Sequence, residues 1–354
     1  MTRVAVIGAG WWGHQHARVF SSLPWSEVCA VVSRTPERAH RRAREFGGRG
    51  YTDIGEMLEA ERPDLVSICL PNTAHFAPTL DVVRAGVPLL VEKPLVFDLA
   101  EADQLLAEAA ERDLFFAINF NHRYARAIEM AREAITSGRI GTPVFATWRF
   151  GGEGSSEHHP HANLIESQCH GFDQLEDLCG PIRSVAAAMT DVATPGAGFG
   201  THVLALGFDS GAVGSLVGTY DSSYAYRGAH LLEVNGTEGR VIVEDTVACF
   251  RYQARGNATE EVWRPSYFDD PARTFTHTFD RHAAALILAL QAGDPPPIHA
   301  RAGRRALGLA YAAIESHATG RRVEAAPEAT SSDASLNSER DRVRDRPSQG
   351  DGQS

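Results

Sequence analysis

A glycine-rich turn after the first apolar run constrains the fold of this chain most strongly. The run Val-Ala-Val-Ile at 4–7 leads directly into Gly-Ala-Gly-Trp-Trp-Gly at 8–13, and a helical pattern continues to residue 21. A G-x-G-x-x-G between strand and helix permits a tight turn, close approach of a ligand to the backbone, and close helix packing. The helix N-terminus also offers N–H groups to phosphate oxygens. The motif predicts a dinucleotide site formed by Gly8, Gly10, Trp11, Trp12 and Gly13.

Short apolar runs alternate with helical patterns over the first 120 residues. Runs typical of buried strands lie at 4–8, 28–32, 65–70, 89–91 and 115–118, with helical patterns at 11–21, 36–46, 53–60, 73–85 and 99–112. This alternation implies right-handed crossovers and a parallel sheet covered on both faces. Residues 1–120 are therefore predicted to form a Rossmann NAD(P)-binding domain in an α/β protein. The repeated strand–helix units also disfavour the alternative of a purely structural glycine turn.

The pattern changes after residue 119. Helical patterns at 124–136 and 163–178 flank a strand at 142–150. Strands then follow one another at 201–208, 213–220, 230–234, 240–244 and 247–252, before two helices at 274–290 and 300–319. Directly successive strands pair antiparallel. Residues 121–324 are predicted to form an α+β substrate-binding and oligomerisation domain with a large, mainly antiparallel sheet. Residues 325–354 are too polar to form a core and are predicted to be a disordered tail.

Composition excludes several classes of protein. The net charge of −11 argues against non-specific nucleic-acid binding. No apolar run approaches the roughly 18 residues of a membrane span, and no separate leader precedes the first strand, so we expect a cytoplasmic protein. The five cysteines are scattered without a CxxC pair, which favours reduced thiols.

The end of the second strand bears on the choice of cofactor. It reads Val-Val-Ser33-Arg34-Thr, with Arg38 one helical turn later. An acidic residue at this place bonds the ribose of NAD, whereas a 2′-phosphate requires positive charge and hydroxyl donors. Ser33, Arg34 and Arg38 therefore favour NADP, with NAD as second choice if both arginines are merely solvated.

Two further segments lie where parallel strands end, the edge at which ligands bind in open α/β sheets. The first contains Leu70, Pro71, Asn72 and His75, and the second is Glu92-Lys93-Pro94. Lys93 at the end of an apolar strand points towards the cofactor crevice. It is a candidate proton donor or acceptor, or a stabiliser of a developing alkoxide.

With these motifs the chain resembles the Gfo/Idh/MocA family of oxidoreductases, which includes glucose–fructose oxidoreductase and inositol dehydrogenase. The resemblance rests on the glycine turn, Pro71-Asn72-x-x-His75, Glu92-Lys93-Pro94, the segment Asn-Phe-Asn-His-Arg-Tyr at 119–124 and the helical region 304–323. It implies that Lys93 contacts both nicotinamide ribose and substrate. It further implies that Glu92, the loop residues, Asn121 and Arg123 help to hold the cofactor. Arg123 and Tyr124 would line the crevice between the domains, with Tyr124 on the substrate side.

The resemblance also implies an Asp-x-x-x-His motif on a helix of the second domain. The match here is Glu166-Ser-Gln-Cys-His170, with Asp173 one turn further. Spacing i, i+4 on an α-helix would place Glu166 and His170 on one face, where the carboxylate could orient the imidazole. His170 is the candidate acid/base and Glu166 replaces the usual Asp. The alternative is a histidine that simply packs at the domain interface.

Histidines at 158, 159 and 161 precede this helix. They lack a helical i, i+4 pair and thiolate support, so no metal is predicted, and a polar loop at the cleft is favoured.

The resemblance implies an NAD(P)-dependent dehydrogenase or ketoreductase acting on a sugar, aminosugar or aminoglycoside, or cyclitol. Acidic residues near the cleft favour an amine-bearing or neutral sugar over a phosphorylated one; they are Glu153, Glu157, Glu166, Asp173 and Asp221. Alternatives are a sugar-nucleotide ketoreductase, a dihydrodiol-type dehydrogenase or an enzyme reducing an imine-type substrate, and a non-catalytic NADP-binding sensor. The resemblance also implies a homodimer or homotetramer.

Overall fold

The structure is a computed structural model of the chain, and it describes residues 1–154 and 158–325. The predicted tail beyond residue 325 and the candidate Glu157 lie outside the described residues. Two β-sheets organise the described part. No helix in these ranges is both long and apolar enough to cross a membrane.

The first sheet is parallel throughout and has the strand order β3-β2-β1-β4-β5-β6. Its strands are β1 Thr2–Ile7, β2 Ser26–Val32, β3 Arg49–Tyr51, β4 Leu65–Ile68, β5 Leu89–Val91 and β6 Phe116–Ile118. The intervening helices are α1 Trp11–Ser22, α2 Pro36–Phe46, α3 Ile54–Glu61, α4 Phe76–Arg84 and α5 Leu99–Ala110. This confirms the predicted Rossmann-type sheet. The short edge strand β3 was not predicted, because three residues carry no periodicity.

Helix boundaries in this half follow ordinary capping chemistry. Asp53 begins α3 by accepting a hydrogen bond from the Glu56 N–H, and Asp98 begins α5 by accepting bonds from Ala100 and Glu101. The predicted helix 73–85 is divided into a 3₁₀ turn, Asn72–Ala74, and α4. This break turns the chain across the carboxyl end of β4, where the candidate loop lies.

The second sheet has nine strands in the described residues, in the order β14-β13-β12-β11-β7-β10-β9-β8-β15. They are β7 Pro143–Gly151, β8 Ile182–Thr190, β9 Thr201–Phe208, β10 Val213–Thr219, β11 His230–Gly236, β12 Gly239–Glu244, β13 Cys249–Ala254, β14 Glu261–Trp263 and β15 Val323–Glu324. The pair β7–β10 is parallel and the remaining pairs are antiparallel, which confirms the predicted mainly antiparallel sheet. The helices of this half are α6 Arg126–Thr136, α7 Cys169–Cys179, α8 Asp270–Arg273, α9 Thr276–Ala292 and α10 Arg301–Thr319.

The predicted continuous helix over 163–178 is wrong. A π-helical turn, Asn163–Ser167, precedes α7, and the Gln168 N–H donates to the Asn163 carbonyl at 3.1 Å. Side chains stabilise this wider turn, since the Asn163 amide donates to the Gly200 carbonyl at 2.6 Å and the Gln168 amide donates to Asn163 Oδ1 at 3.1 Å. These bonds depend on tertiary contacts, so the local pattern could not predict the break.

Helix α9 comes late in the chain but packs against the first sheet. Its apolar face, which includes Phe279, Leu286 and Ile287, is fully buried in one core with Val4 and Leu90. Helices α7 and α10 pack instead on the second sheet. The division at residue 120 therefore stays a prediction, and the two halves of the chain interlock in space.

Candidate active site

The glycine turn has the shape that a dinucleotide phosphate requires. Gly8 has φ +124°, and a Cβ there would lie 2.3 Å from the Cys69 carbonyl oxygen. A Cβ on Gly13 would lie 2.0 Å from the Gly8 carbonyl oxygen, so both positions exclude side chains. A Cβ on Gly10 would meet nothing within 4 Å. Open space therefore adjoins the N-terminus of α1, where no side chain caps the first N–H groups. These features fit a bound pyrophosphate.

The two tryptophans that follow the glycine turn pack edge-on against each other, with ring centroids 4.6 Å apart, and Trp11 remains 60% exposed.

At the end of β2, Ser33 Oγ accepts a hydrogen bond from the Thr35 N–H at 3.3 Å. Arg34 and Arg38 are exposed, and within the described ranges neither makes an ion pair or a side-chain hydrogen bond. Two cationic side chains are thus available beside the predicted adenosine site.

His75 connects the two candidate loops and lies beneath them. It is 1% exposed, with Nδ1 2.7 Å from the Pro94 carbonyl oxygen and Nε2 3.1 Å from that of Leu70. Burial lowers the pKa of His75. Pro71 is exposed and Asn72 half-buried at the loop surface. The geometry makes His75 a support of both loops, while Pro71 and Asn72 remain accessible.

Lys93 is the only lysine in the 354 residues, and the other 33 basic side chains are arginine. It follows β5, and the Lys93–Pro94 peptide is cis. Its Nζ donates to the Glu166 backbone carbonyl at 3.2 Å. This contact crosses from the first sheet to the π-helical turn beside the second sheet. Lys93 is therefore one of the points at which the two halves of the chain make contact.

Glu92 is buried directly behind Lys93. Its Oε1 accepts hydrogen bonds from His16 Nε2 at 2.9 Å and Asn119 Nδ2 at 2.6 Å, and its Oε2 accepts from the Lys93 N–H at 3.1 Å. Burial alone would raise the pKa of Glu92, but the hydrogen bond and charge of His16, with Lys93, hold it below its ordinary value. Both carboxylate oxygens of Glu92 thus accept hydrogen bonds from other protein groups.

His170 is the second residue of α7 and is 5% exposed. Its ring stacks on that of His122, with centroids 3.9 Å apart and planes within 15°. Nδ1 of each ring is buried without a hydrogen-bond partner in the described residues. Burial, reinforced by the neighbouring His122 and Lys93, holds the pKa of His170 well below its ordinary value. His170 is therefore neutral near pH 7 and can accept a proton.

The predicted pairing of Glu166 with His170 is absent from the described structure. Because the π-helical turn ends before α7, the i, i+4 geometry of one α-helix does not apply. The Glu166 carboxylate instead lies 2.6 Å from His158 Nε2. Glu166 contacts Lys93 through its backbone carbonyl, which accepts the hydrogen bond from Nζ, and not through its carboxylate.

Arg123 and Asp173 were predicted to face ligands, but they bind each other. Arg123 Nε and Nη2 donate to the two Asp173 carboxylate oxygens at 2.9 and 2.5 Å, and Nη1 donates to Asp177 at 2.8 Å. Burial raises the pKa of Asp173 to about 6, and Arg123 opposes that rise. The pair fixes α7 against the turn Asn121–Tyr124.

Three other candidates occupy distinct surroundings. Asn121 is buried and donates to Thr278 Oγ1 at 2.7 Å, which ties it to α9. Tyr124 is half-buried and stacks on His282, with centroids 4.8 Å apart. Glu153 is exposed and accepts a hydrogen bond from Ser223 Oγ at 2.8 Å. Of these, only Tyr124 and Glu153 retain access to solvent.

The histidine segment before the π-helical turn packs on an aromatic ring from the first half, with His159 and Phe97 centroids 5.0 Å apart. Across the described residues, no group of three or more His, Cys, Asp or Glu side chains could hold a metal ion.

Several residues of the site were not singled out from the sequence. They are His16, His122, Asn119 and His282. His122 lies inside the motif at 119–124, so its neighbours gave a signal. His16 and His282 gave none, because nothing local distinguishes a buried helix histidine from a solvated one.

Comparison with known proteins identifies the family of the chain. A family model described as oxidoreductase family, NAD-binding Rossmann fold, matches residues 2–120, and a model of the GFO/IDH/MocA C-terminal domain matches residues 128–242. The chain is 30% identical over 252 residues to scyllo-inositol 2-dehydrogenase (NAD(+)) of Bacillus subtilis, covering 68% of this chain and 73% of the relative. It is 26% identical over 333 residues to myo-inositol 2-dehydrogenase of Thermotoga maritima, covering 89% and 96% respectively.

Among solved structures, levoglucosan dehydrogenase in complex with NADH and levoglucosan superposes with a TM-score of 0.83 at 18% identity, covering 92% of this chain and 100% of that one. The fold, the glycine turn and the matching models define an NAD-binding oxidoreductase. More specifically, the chain belongs to the Gfo/Idh/MocA oxidoreductase family, as its motifs predicted.

Proposed function

We propose that this chain is an NADP(H)-preferring dehydrogenase or ketoreductase that interconverts a secondary alcohol and a ketone on a sugar, aminosugar or cyclitol. The observation that carries the proposal is the meeting of Lys93 and the π-helical turn, with a neutral His170 four residues after Glu166. A protein named myo-inositol 2-dehydrogenase is similar in sequence, and a protein named levoglucosan dehydrogenase shares the fold.

The residues divide the chemistry between them. A nicotinamide held at this site would supply the hydride acceptor or donor. In the oxidative direction, the Lys93 ammonium donates a hydrogen bond to the substrate oxygen and stabilises the negative charge that develops there. Nε2 of the neutral His170 takes the hydroxyl proton as hydride leaves the carbinol carbon. The alcohol thus loses one proton to His170 and one hydride, which carries two electrons. Reduction reverses both transfers.

The cofactor preference rests on the end of β2. Ser33 provides a hydroxyl that accepts from the Thr35 N–H and can still donate. Arg34 and Arg38 provide two cations without described protein partners, which favours a 2′-phosphate. We assign the open pyrophosphate space to Gly8, Gly10, Gly13, Trp11 and Trp12, and the nicotinamide side to Leu70, Pro71, Asn72 and Lys93. His75, Glu92, Asn121 and Arg123 act indirectly, because their polar groups bind other protein groups.

For substrate binding we retain Lys93, His170 and Glu166, with Tyr124 and Glu153 at the accessible margin. Asp173 is assigned to the wall of the site, since Arg123 occupies both of its oxygens. The Glu166 carboxylate beside His158 favours a neutral or amine-bearing sugar over a phosphorylated one.

We further propose that the outer face of the second sheet forms a homodimer or homotetramer interface. Pairing aligns Phe145 beside Val213, and Val203 beside Val217, so that apolar side chains share this face. Val213 is 58% exposed and Val203 50% exposed. Sedimentation velocity tests this, and a Val203→Glu, Val213→Glu variant is expected to sediment as a monomer.

Turnover assays of neutral sugars, cyclitols, aminoglycosides and sugar nucleotides with NAD+ and NADP+ test the main proposal. We expect NADP+-linked oxidation of a sugar or cyclitol, abolished in Lys93→Ala and in His170→Leu.

Turnover of a sugar nucleotide at the same rate as a neutral sugar would contradict the substrate argument. Tight NADP+ binding without turnover of any alcohol or ketone would instead identify a sensor. Turnover by Lys93→Ala at the wild-type rate would refute the role of Lys93.

A further inference from the structure

A buried hydrogen-bonded chain runs beneath Lys93. Ser67 Oγ lies 2.6 Å from His16 Nδ1, and His16 Nε2 donates to Glu92 Oε1 at 2.9 Å. Asn119 Nδ2 donates to the same oxygen at 2.6 Å, and His282 Nδ1 lies 2.8 Å from Asn119 Oδ1. All five side chains are no more than 4% exposed. A buried polar chain of this kind destabilises the fold unless its members satisfy one another's hydrogen bonds.

One set of hydrogen-bond directions satisfies the whole chain. Ser67 Oγ can donate to His16 Nδ1, and the N–H at His16 Nε2 donates to Glu92. Asn119 uses its amide to donate to Glu92 and its carbonyl to accept from His282 Nδ1–H. Burial lowers the pKa of His282 to about 3, which keeps that ring neutral. Glu92 Oε1 is the acceptor on which the donors from both ends of the chain converge.

The second oxygen of Glu92 leads to the site. Oε2 accepts the Lys93 N–H at 3.1 Å, whereas the donors from His16 and Asn119 hold Oε1. Rotation of the carboxylate about its terminal torsion would break these bonds together. The orientation of Glu92 therefore fixes the backbone from which the Lys93 side chain extends towards the Glu166 carbonyl.

The two histidines also connect different walls of the site. His16 lies one turn after Gly13 on α1, the helix whose N-terminus borders the open phosphate space. His282 lies on α9 and stacks on Tyr124 at the margin of the cleft. Phe279 of α9 packs against the His16 ring, with centroids 4.3 Å apart.

We propose that His16 and His282 are positioning residues, which act through Glu92 and Asn119 to fix the Lys93 backbone relative to the glycine turn. This inference rests on the proposed dehydrogenase function for its kinetic consequence. Its structural consequence is independent of turnover.

Paired variants test the proposal. His16→Leu and His282→Leu remove the donors, whereas His16→Gln keeps an N–H near the position of Nε2 and His282→Asn keeps one near Nδ1. His14→Leu on α1 and His277→Leu on α9 are matched controls outside the chain. Thermal melting first establishes that each variant is folded. We expect His16→Leu, which removes a donor to the Glu92 carboxylate, to lower kcat about 10-fold or more. His282→Leu removes a donor to the neutral Asn119 amide and should lower kcat about 2- to 10-fold, with KM changed less in both variants. The amide variants should recover most of kcat.

The single lysine supplies a readout that needs no substrate. Protein labelled with 13Cε-lysine gives one side-chain resonance, from Lys93. We expect its chemical shift to move in both leucine variants, return towards the wild-type value in the amide variants, and stay unchanged in the controls.

Unchanged shifts in folded leucine variants would overturn the positioning role. Equal effects of the leucine and amide substitutions would do the same, since that result indicates general packing. If the wild-type protein oxidised no alcohol while the resonance behaved as expected, the proposed function would fail and the positioning role would stand.

Discussion

The imidazole rings of His122 and His170 lie 3.9 Å apart and almost parallel, in a pocket where neither Nδ1 has a described partner. Two protonated rings could not occupy this stack, because like charges would be buried face to face. The pair therefore supplies a base that stays neutral without an orienting carboxylate. Glu166, the residue expected to provide that carboxylate, is bound to His158.

This stack predicts the acidic limb of the pH profile. Burial, His122 and Lys93 together lower the pKa of His170, so the ring remains a competent base well below pH 6.5. We expect kcat/KM for oxidation to stay level through the ordinary histidine pKa of about 6.5 and to fall only below it. In His122→Ala, which admits water, the limb should move towards higher pH. A wild-type limb at pH 6.5 or above would contradict the assignment.

The glycine turn predicts opposite outcomes for two alanine substitutions. A Cβ on Gly13 meets the Gly8 carbonyl, so Gly13→Ala should lower the free energy of unfolding by about 1–3 kcal/mol. Gly10→Ala meets no protein atom within 4 Å and should leave stability nearly unchanged, yet weaken NADP+ binding because its methyl group occupies the phosphate space. Chemical denaturation and cofactor titration distinguish the two effects. Tight cofactor binding by Gly10→Ala would place the phosphates elsewhere.

Arg34 predicts the cofactor choice. Since it has no described protein partner, Arg34→Ala should cost little stability. Loss of a charge-assisted contact with a 2′-phosphate should raise the Kd for NADP+ by about 10-fold or more and leave that for NAD+ nearly constant. Fluorescence titration with both cofactors measures this ratio. A parallel loss for NAD+ and NADP+ would argue against 2′-phosphate recognition.

The Arg123–Asp173 pair predicts a stability effect at a position first expected to bind ligands. Arg123→Met leaves a buried carboxylate without its bidentate partner and should destabilise the protein by about 3 kcal/mol. Because burial already raises the pKa of Asp173 to about 6, removing Arg123 should raise it further. The loss should therefore be smaller at pH 5, where Asp173 is protonated, than at pH 8. Arg126→Met, which removes an exposed arginine nearby, is the control and should cost under about 0.5 kcal/mol.

The parts of the fold that follow local periodicity were predictable from the sequence. Continuous apolar runs and glycine punctuation determine the parallel sheet, and they place Lys93 at the carboxyl end of β5. The π-helical turn was not predictable, because Asn163 and Gln168 stabilise it through contacts with distant segments. The same is true of His16 and His282, which acquire their roles only when α1 and α9 pack together. Family motifs identified residues near the site, but not which of them bind each other.

The packing of α9 also has a consequence for synthesis of the chain. Val4, Val6 and Leu90 share a core with Phe279 and its neighbours on α9. On the ribosome, these strands emerge long before the helix that covers them. The apolar surface of the nascent sheet therefore stays uncovered until α9, almost two hundred residues after β5, has been translated. Such distant pairings slow folding and leave early segments open to association with other chains. The core of the first sheet can therefore be completed only after α9, Thr276–Ala292, has been made.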